Sequence, residues 1–158
     1  MYIAGFELRM FDLLPVQQRV HVLHGLLEAL IFANQVWLRA NPGTPELYRV
    51  GPKYKIKARP FDIDRWQDIP QTMALNEGDC KDFSAWRIAE MRNRLIPDVA
   101  PFIKVNIIPD PSGRTQGLIC YHVQVRQGLS IEDPSVLLGM PKSLSPQNQL
   151  RLVQGMAI

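Results

Sequence analysis

The stretch of sequence that decides the fold is Asn76-Glu77-Gly78-Asp79-Cys80-Lys81-Asp82-Phe83. In this stretch a Gly-Asp turn leads into a helical pattern that begins at about Cys80 and ends at about Leu95, before Pro97. A thiol at a helix start lies close to backbone N–H groups, and these groups stabilise negative charge. We therefore expect Cys80 to be ionised near neutral pH and to react with iodoacetamide faster than Cys120.

Three strand-like runs follow this helix, at residues 102–108, 118–126 and 129–133. A two-residue hairpin loop at Gln127-Gly128 would place His122 directly opposite Asp133, and opposed residues share one face of a sheet. An aspartate in that position accepts a hydrogen bond from the imidazole and fixes its tautomer. A slip of one residue would instead bring Glu132 opposite His122.

The two faces of the second strand differ in character. Ile119, Tyr121, Val123 and Val125 form an apolar face, so His122 lies on the other face. This position argues against a histidine that is simply packed in the core. Cys120 shares the face of His122, and we assign it a packing role.

The residue types and their order predict nucleophilic catalysis. Cys80 would attack a carbonyl carbon as a thiolate, His122 would protonate the leaving group, and Asp133 would orient the imidazole. The backbone N–H of Cys80 would donate to the oxyanion. Gln71 and Asn76 are the candidates for a second oxyanion donor. No cofactor and no metal site is predicted.

Each of these features also has a purely structural interpretation. A free cysteine often only packs, an aspartate near a helix start is most often a cap, and Asp133-Pro134-Ser135 is compatible with a plain turn. The combination of Cys80, His122 and Asp133 in this order, with the hairpin pairing, favours the catalytic interpretation.

The remainder of the chain predicts one domain with two terminal extensions around a core. Residues 1–46 form an N-terminal helical extension, residues 47–140 the core, and residues 141–158 a polar C-terminal arm. One apolar stripe marks the first helix, at Val16, Val20, Leu23, Leu27, Leu30, Ile31, Asn34 and Leu38. His21 and His24 in this helix are interpreted as surface or packing residues. Residues 47–70 look irregular, with extended pieces.

Composition narrows the class of protein. The chain has 158 residues, two cysteines and a net charge of +3, which suits one reduced, globular domain. We expect a cytoplasmic protein without a signal peptide or membrane span, since no basic and apolar leader and no long apolar run is present. Lys53, Lys55 and Lys57 alternate with apolar residues, which favours a strand with one solvated face over a specific nucleic-acid site.

Five segments resemble the transglutaminase-like cysteine proteins, a branch of the papain-like fold, and in particular their short bacterial and phage members. These segments are Gly78-Asp79-Cys80-Lys81-Asp82-Phe83-Ser84-Ala85-Trp86, Tyr121-His122-Val123, Ile131-Glu132-Asp133-Pro134-Ser135, Leu47-Tyr48-Arg49-Val50-Gly51 and Trp66-Gln67-Asp68-Ile69-Pro70. The resemblance implies an α+β fold in which a helix bearing the nucleophile packs on a small antiparallel sheet. It also implies the roles already given to Cys80, His122 and Asp133. Lys81 departs from the pattern, because an acidic residue is typical there.

Two classes of function remain open at this point. The first is a cysteine hydrolase or acyltransferase that acts on a peptide, isopeptide or glutamine amide bond of a peptide or protein substrate. The second, implied by the resemblance, is a phage virion structural or assembly protein that keeps the fold with little or no catalysis. Such a protein would be located in the virion and would contact other phage structural proteins through the N-terminal helix and the C-terminal arm. A homo-oligomer is compatible with either class.

Overall fold

A computed structural model describes residues 14–55, 65–108 and 118–140 of the chain. Helices and strands are mixed in these ranges, and the strands form two small sheets, so the expectation of an α+β fold is confirmed. In chain order the elements are α1 (Val16–Ala40), α2 (Leu47–Val50), β1 (Lys53–Tyr54), α3 (Ile69–Leu75), β2 (Glu77–Gly78), α4 (Cys80–Asn93), β3 (Val99–Ile108), β4 (Leu118–Gln127), β5 (Ser130–Glu132) and α5 (Pro134–Leu137).

The main core lies between α1, α4 and the sheet formed by β3 and β4. Leu27 and Ile31 of α1 are fully buried there, and they pack in one cluster with Ile88 of α4 and Val125 of β4. These α1 residues belong to the stripe predicted from the helical period, which is therefore confirmed. His21 and His24 lie on the exposed part of the helix.

Helix α4 is enclosed by neighbours on nearly all sides. From residue 81 to residue 91 only Arg87 is not buried. Phe83 and Trp86 form a second cluster with Leu47 of α2 and Ile69 of α3, away from the main core. Because two clusters hold the helix from different directions, its first residue has a fixed place relative to the sheet.

The three-stranded sheet has the order β3-β4-β5 and is antiparallel throughout. The β4–β5 register differs from the prediction, because Val125 pairs with Glu132 and Gln127 with Ser130. The loop is therefore Gly128-Leu129 and not Gln127-Gly128. Gly128 has φ +56°, and a glycine with positive φ at the first loop position suits a type II′ hairpin turn. Leu129 projects fully into solvent.

The segment predicted to be irregular contains two short helices. Helix α2 has four residues and ends at Gly51, which has φ +61°. Helix α3 has seven residues, and the Asp68 side chain caps it by accepting from Gln71 N at 3.0 Å. Both helices are too short to show a hydrophobic period, so the sequence pattern missed them.

Strand β1 pairs in parallel with β2, and Tyr54 lies opposite Gly78. This pairing brings the lysine-rich segment to the start of α4. The predicted strand position of Lys57 and the predicted C-terminal arm at residues 141–158 lie outside the described residues. None of the helices in the described ranges combines the length and the hydropathy that a bilayer span requires.

Candidate active site

The N-terminus of α4 is held by two carboxylates. Asp79 is the N-cap and Asp82 the third helical residue, and together they form a reciprocal capping box. Asp82 Oδ2 accepts from Asp79 N at 3.1 Å, and its Oδ1 accepts from Gln67 N at 2.8 Å. Both aspartates are buried. The predicted capping role is thus present, and it fixes the backbone that carries Cys80.

The first turns of α4 contact the peptide groups of Val123 on β4. The Ser84 hydroxyl donates to Val123 O at 3.0 Å, and a backbone hydrogen bond from Val123 reaches the Cys80 thiol. A residue in an antiparallel strand directs its N–H and its C=O to the same side. Because Cys80 and Ser84 are four residues apart on one helix face, they can engage both groups. The thiol therefore lies beside the residue that follows His122.

His122 and Asp133 are in direct contact, as predicted. The distance from His122 Nε2 to Asp133 Oδ2 is 2.7 Å, and both side chains are largely buried. Gln124 Nε2 donates to the same carboxylate oxygen at 2.9 Å. Since Asp133 is bonded through Nε2, the other ring nitrogen, Nδ1, remains for a further partner. Among the described residues, no hydrogen bond joins that imidazole to the Cys80 thiol.

The contact between His122 and Asp133 was predicted correctly, although the predicted β4–β5 register was wrong. Continued past the end of β5, the observed pairing places Asp133 opposite Gln124, two positions from the predicted partner. A shift of two keeps a side chain on the same face, whereas a shift of one moves it to the other face. His122 thus becomes a diagonal neighbour of Asp133, within reach of a long side chain.

Asp133 also serves as the N-cap of α5. Its Oδ1 accepts from Ser135 N at 3.1 Å and from Val136 N at 3.3 Å. Asp133 therefore caps α5 through Oδ1 and contacts His122 through Oδ2. The capping bonds leave the carboxylate little freedom to turn away from the imidazole.

We expect the Asp133 carboxylate to make stability depend on pH. Burial alone would raise its pKa, but hydrogen bonds from His122 and Gln124 outweigh burial and hold the pKa below its usual value of 3.8. A lowered pKa in the folded state means that the stabilisation is present above about pH 4 and is lost as the pH falls through the folded value. Urea denaturation between about pH 6 and pH 2 should show a steeper loss of unfolding free energy for the natural chain than for Asp133→Asn. Parallel curves for the two proteins would contradict this.

The ionisation expected for Cys80 is not found. Burial raises the pKa of this thiol to about 12, and the negative charge of Asp79 adds to the rise. The positive charge of Lys81 and the hydrogen bond from Val123 lower the pKa, but they do not compensate. The prediction considered the helix N-terminus and left out the burial of the site and the carboxylate that caps the helix. Burial also raises the pKa of Cys120.

Two further side chains at the site were not predicted. Tyr54 is half-buried, and its backbone pairs with Gly78, two residues before Cys80. Burial raises the pKa of its phenol, with contributions from the charges of Cys80 and Asp133, so the ring lies near both. Lys81 is buried and forms an ion pair with Asp79. A balanced charge pair therefore lies beside Cys80.

The oxyanion-hole candidates Gln71 and Asn76 have exposed side chains. Gln71 lies on α3, and Asn76 ends that helix with φ +51°. They remain predictions. Gln67 is 6% exposed, its backbone is bonded to Asp82 of α4, and its side-chain oxygen has no hydrogen-bond partner within the part of the chain that the structure describes. Gln67 was not among the predicted site residues. Its place in the Trp66-Gln67-Asp68-Ile69-Pro70 segment, one of the five that resemble the cysteine proteins, is the sequence feature that could have indicated it.

Comparison of the chain with protein-family models, with curated proteins and with solved structures found no match. The function must therefore be inferred from the geometry of Cys80, His122 and Asp133.

Proposed function

We propose that the protein is a transglutaminase-like cysteine hydrolase or acyltransferase with a papain-like core. In this proposal Cys80 is the nucleophile, His122 the base and Asp133 the orienting carboxylate. The substrate is a peptide, isopeptide or glutamine amide bond. The observation that carries the proposal is the 2.7 Å bond between His122 and Asp133, made next to the Val123 peptide group that contacts the thiol.

The raised pKa of Cys80 determines how the base must act. Because burial raises the pKa of this thiol, the thiol is mostly protonated at pH 7. His122 therefore has to remove the thiol proton during the attack and does not rest as one half of an ion pair. Its Nδ1 accepts that proton while Asp133 holds Nε2–H and stabilises the imidazolium. Catalytic hydrogen bonds are often long without substrate and tighten when it binds.

The reaction then proceeds in two steps, acylation of Cys80 and deacylation of the thioester. The sulfur of Cys80 attacks the amide carbon, the oxyanion forms near the Cys80 N–H at the start of α4, and the imidazolium returns its proton to the leaving amine. This leaves an acyl-thioester on Cys80. Water or a second amine attacks the thioester, His122 accepts the proton of the attacking group, and that proton returns to the departing sulfur.

Labelling with an electrophilic peptide amide tests this function. We expect the reagent to modify Cys80 and not Cys120, as mapped by mass spectrometry, because Cys80 begins α4, where its backbone N–H can stabilise the oxyanion that forms on attack. His122→Ala should slow the labelling by about 10²-fold or more. His21→Ala is the matched control, since it removes an exposed imidazole from α1.

The outcome that contradicts the enzyme is equal labelling of both cysteines, or labelling of Cys80 that does not change in His122→Ala. Iodoacetamide provides a useful second reagent because it has no amide-directed recognition. With a thiol pKa of about 12, its reaction with Cys80 should be slow at neutral pH and should accelerate continuously up to at least about pH 10.

A second candidate is a non-catalytic assembly role, and two observations favour it. Burial raises the pKa of the Cys80 thiol, which disfavours the reactive thiolate, and Phe32 and Val36 of α1 are 63% and 47% exposed at positions four residues apart. Exposed apolar side chains on one helix face are typical of contact surfaces. This candidate predicts no labelling at Cys80 and copurification with large particles in a fixed ratio. The enzyme predicts labelling whether or not such particles form.

A further inference from the structure

Glu132, the residue before the orienting carboxylate, is held by two elements outside the sheet. Its Oε1 accepts from Arg87 Nε of α4 at 2.8 Å and also from the hydroxyl of Tyr48 on α2. The side chains of Arg87 and Glu132 are 19% and 30% exposed. The contact therefore lies at the edge of the protein interior, where an ion pair is less screened than on an open surface.

Arg87 is itself fixed from three directions. Its Nη1 donates to Glu90 Oε2 at 3.3 Å. Glu90 is held in turn, because its Oε1 accepts from Leu47 N at 2.6 Å. The guanidinium also lies 5.3 Å from the centre of the Tyr48 ring, within range of a cation–π contact. Few alternative orientations remain for a planar group held in this way.

The position of Glu132 in the sheet shows why this matters. The β4–β5 ladder has three residue pairs, and Val125↔Glu132 is the last before Asp133. From this point the backbone leaves the sheet and enters α5, so Asp133 follows the register but is not itself one of the paired ladder residues. The ion pair with Arg87 attaches this last ladder residue to α4, which also begins with Cys80.

We propose that Arg87 and Glu132 are a positioning pair. The pair holds the orienting carboxylate of Asp133 at hydrogen-bond distance from His122 and fixes its position relative to Cys80. The inference rests on the proposed function, because it assigns the pair a purpose in that same site. The pair touches neither substrate nor reacting atoms. It acts by connecting, through one helix, the strand end that carries the carboxylate and the turn that carries the thiol.

The test is the protection of the His122 Nε2–H proton, measured by nitrogen-15 NMR as its exchange rate with water. In the natural chain this proton should give a protected signal, because it is bonded to Asp133. Glu132→Ala should accelerate its exchange by about tenfold or more, and Arg87→Lys should have a smaller effect because it retains the charge without the fork. Glu132→Gln keeps an acceptor for Arg87 and Tyr48, so its exchange rate should lie between the rates of Glu132→Ala and Arg87→Lys.

The matched control is Arg94→Gln, which breaks an ion pair with Glu46 that is about half exposed at the end of the same helix. It should leave the exchange rate unchanged. Where turnover is measurable, Glu132→Ala should lower kcat by about 10- to 100-fold with little change in KM, as misplacement of a catalytic group does.

Two results would overturn the inference. One is an exchange rate in Glu132→Ala equal to that of the natural chain, and the other is an equal acceleration by Arg94→Gln, which would indicate general loosening. The NMR signal does not require a working nucleophile. An inactive protein with a protected proton that Glu132→Ala exposes would therefore refute the proposed enzyme and leave the positioning pair intact.

Discussion

Under the proposed mechanism, replacing Cys80 with alanine is expected to lower the rate of amide hydrolysis or amine transfer by about 10⁴-fold or more, because Cys80 is the thiol assigned to form the acyl-thioester. The fold should persist, since the capping box of Asp79 and Asp82 that begins α4 does not involve the thiol. Turnover of a peptide amide substrate, followed by the release of amine, measures the first effect. Circular dichroism and the midpoint of thermal unfolding measure the second.

Cys120→Ala provides the control for this experiment. Cys120 is the other free cysteine, it is also partly buried, and it lies on β4 two residues before His122. Its replacement should leave the rate within about twofold, because the residue is assigned a packing role. A rate in Cys80→Ala equal to that of the natural chain would refute the mechanism, and a loss of activity in both variants would point to packing and not to chemistry.

The largest effect on stability at the site is expected for Gly78→Ala. A β-carbon at residue 78 would lie 3.0 Å from Cδ1 and 3.1 Å from Cζ of Phe83, and closer still to Cε1. Phe83 is fully buried, so the ring cannot move aside into solvent. Such overpacking typically costs about 1–3 kcal/mol. We expect the free energy of unfolding, from urea denaturation, to fall by that amount.

Gly25→Ala separates this steric effect from the general effect of the substitution. Gly25 lies inside α1, and nothing lies within 4 Å of the place where its β-carbon would be. Alanine favours a helix over glycine by about 0.5–1 kcal/mol, so this variant should gain stability. A Gly78→Ala protein as stable as the natural chain would show that Phe83 is not fixed as described, and the start of α4 would then be less rigid than the site requires.

The long helices and the strand face on which His122 lies could be predicted, because both follow from the regular spacing of apolar residues along the sequence. The stripe that contains Leu27 and Ile31 repeats at the helical spacing over several turns, and Val123 and Val125 alternate with His122 and Gln124. Alternation fixes the face of a strand even when the partner is wrong. For this reason the contact of His122 with Asp133 was predicted from an incorrect hairpin register.

Contacts between distant segments could not be predicted in the same way. The alternation of polar and apolar residues placed Gln124 on the same face as His122, but its hydrogen bond to Asp133 depends on the observed register. The proximity of Tyr54 depends on a two-residue parallel pairing with β2, which leaves no pattern in the sequence. The pKa of Cys80 depends on how deeply the whole fold buries the start of α4, and a local motif does not contain that information.

The double use of Asp133 has a consequence for how this protein could change over evolutionary time. Asparagine is as good a helix cap as aspartate, so one substitution at this position would spare the start of α5. It would nevertheless offer His122 an amide in place of an acceptor, and a swap of this kind elsewhere holds a histidine in the unproductive tautomer. Under the proposed mechanism, a descendant of this chain would therefore lose its activity through the exchange of a single oxygen for nitrogen, while the cap at the start of α5 would remain.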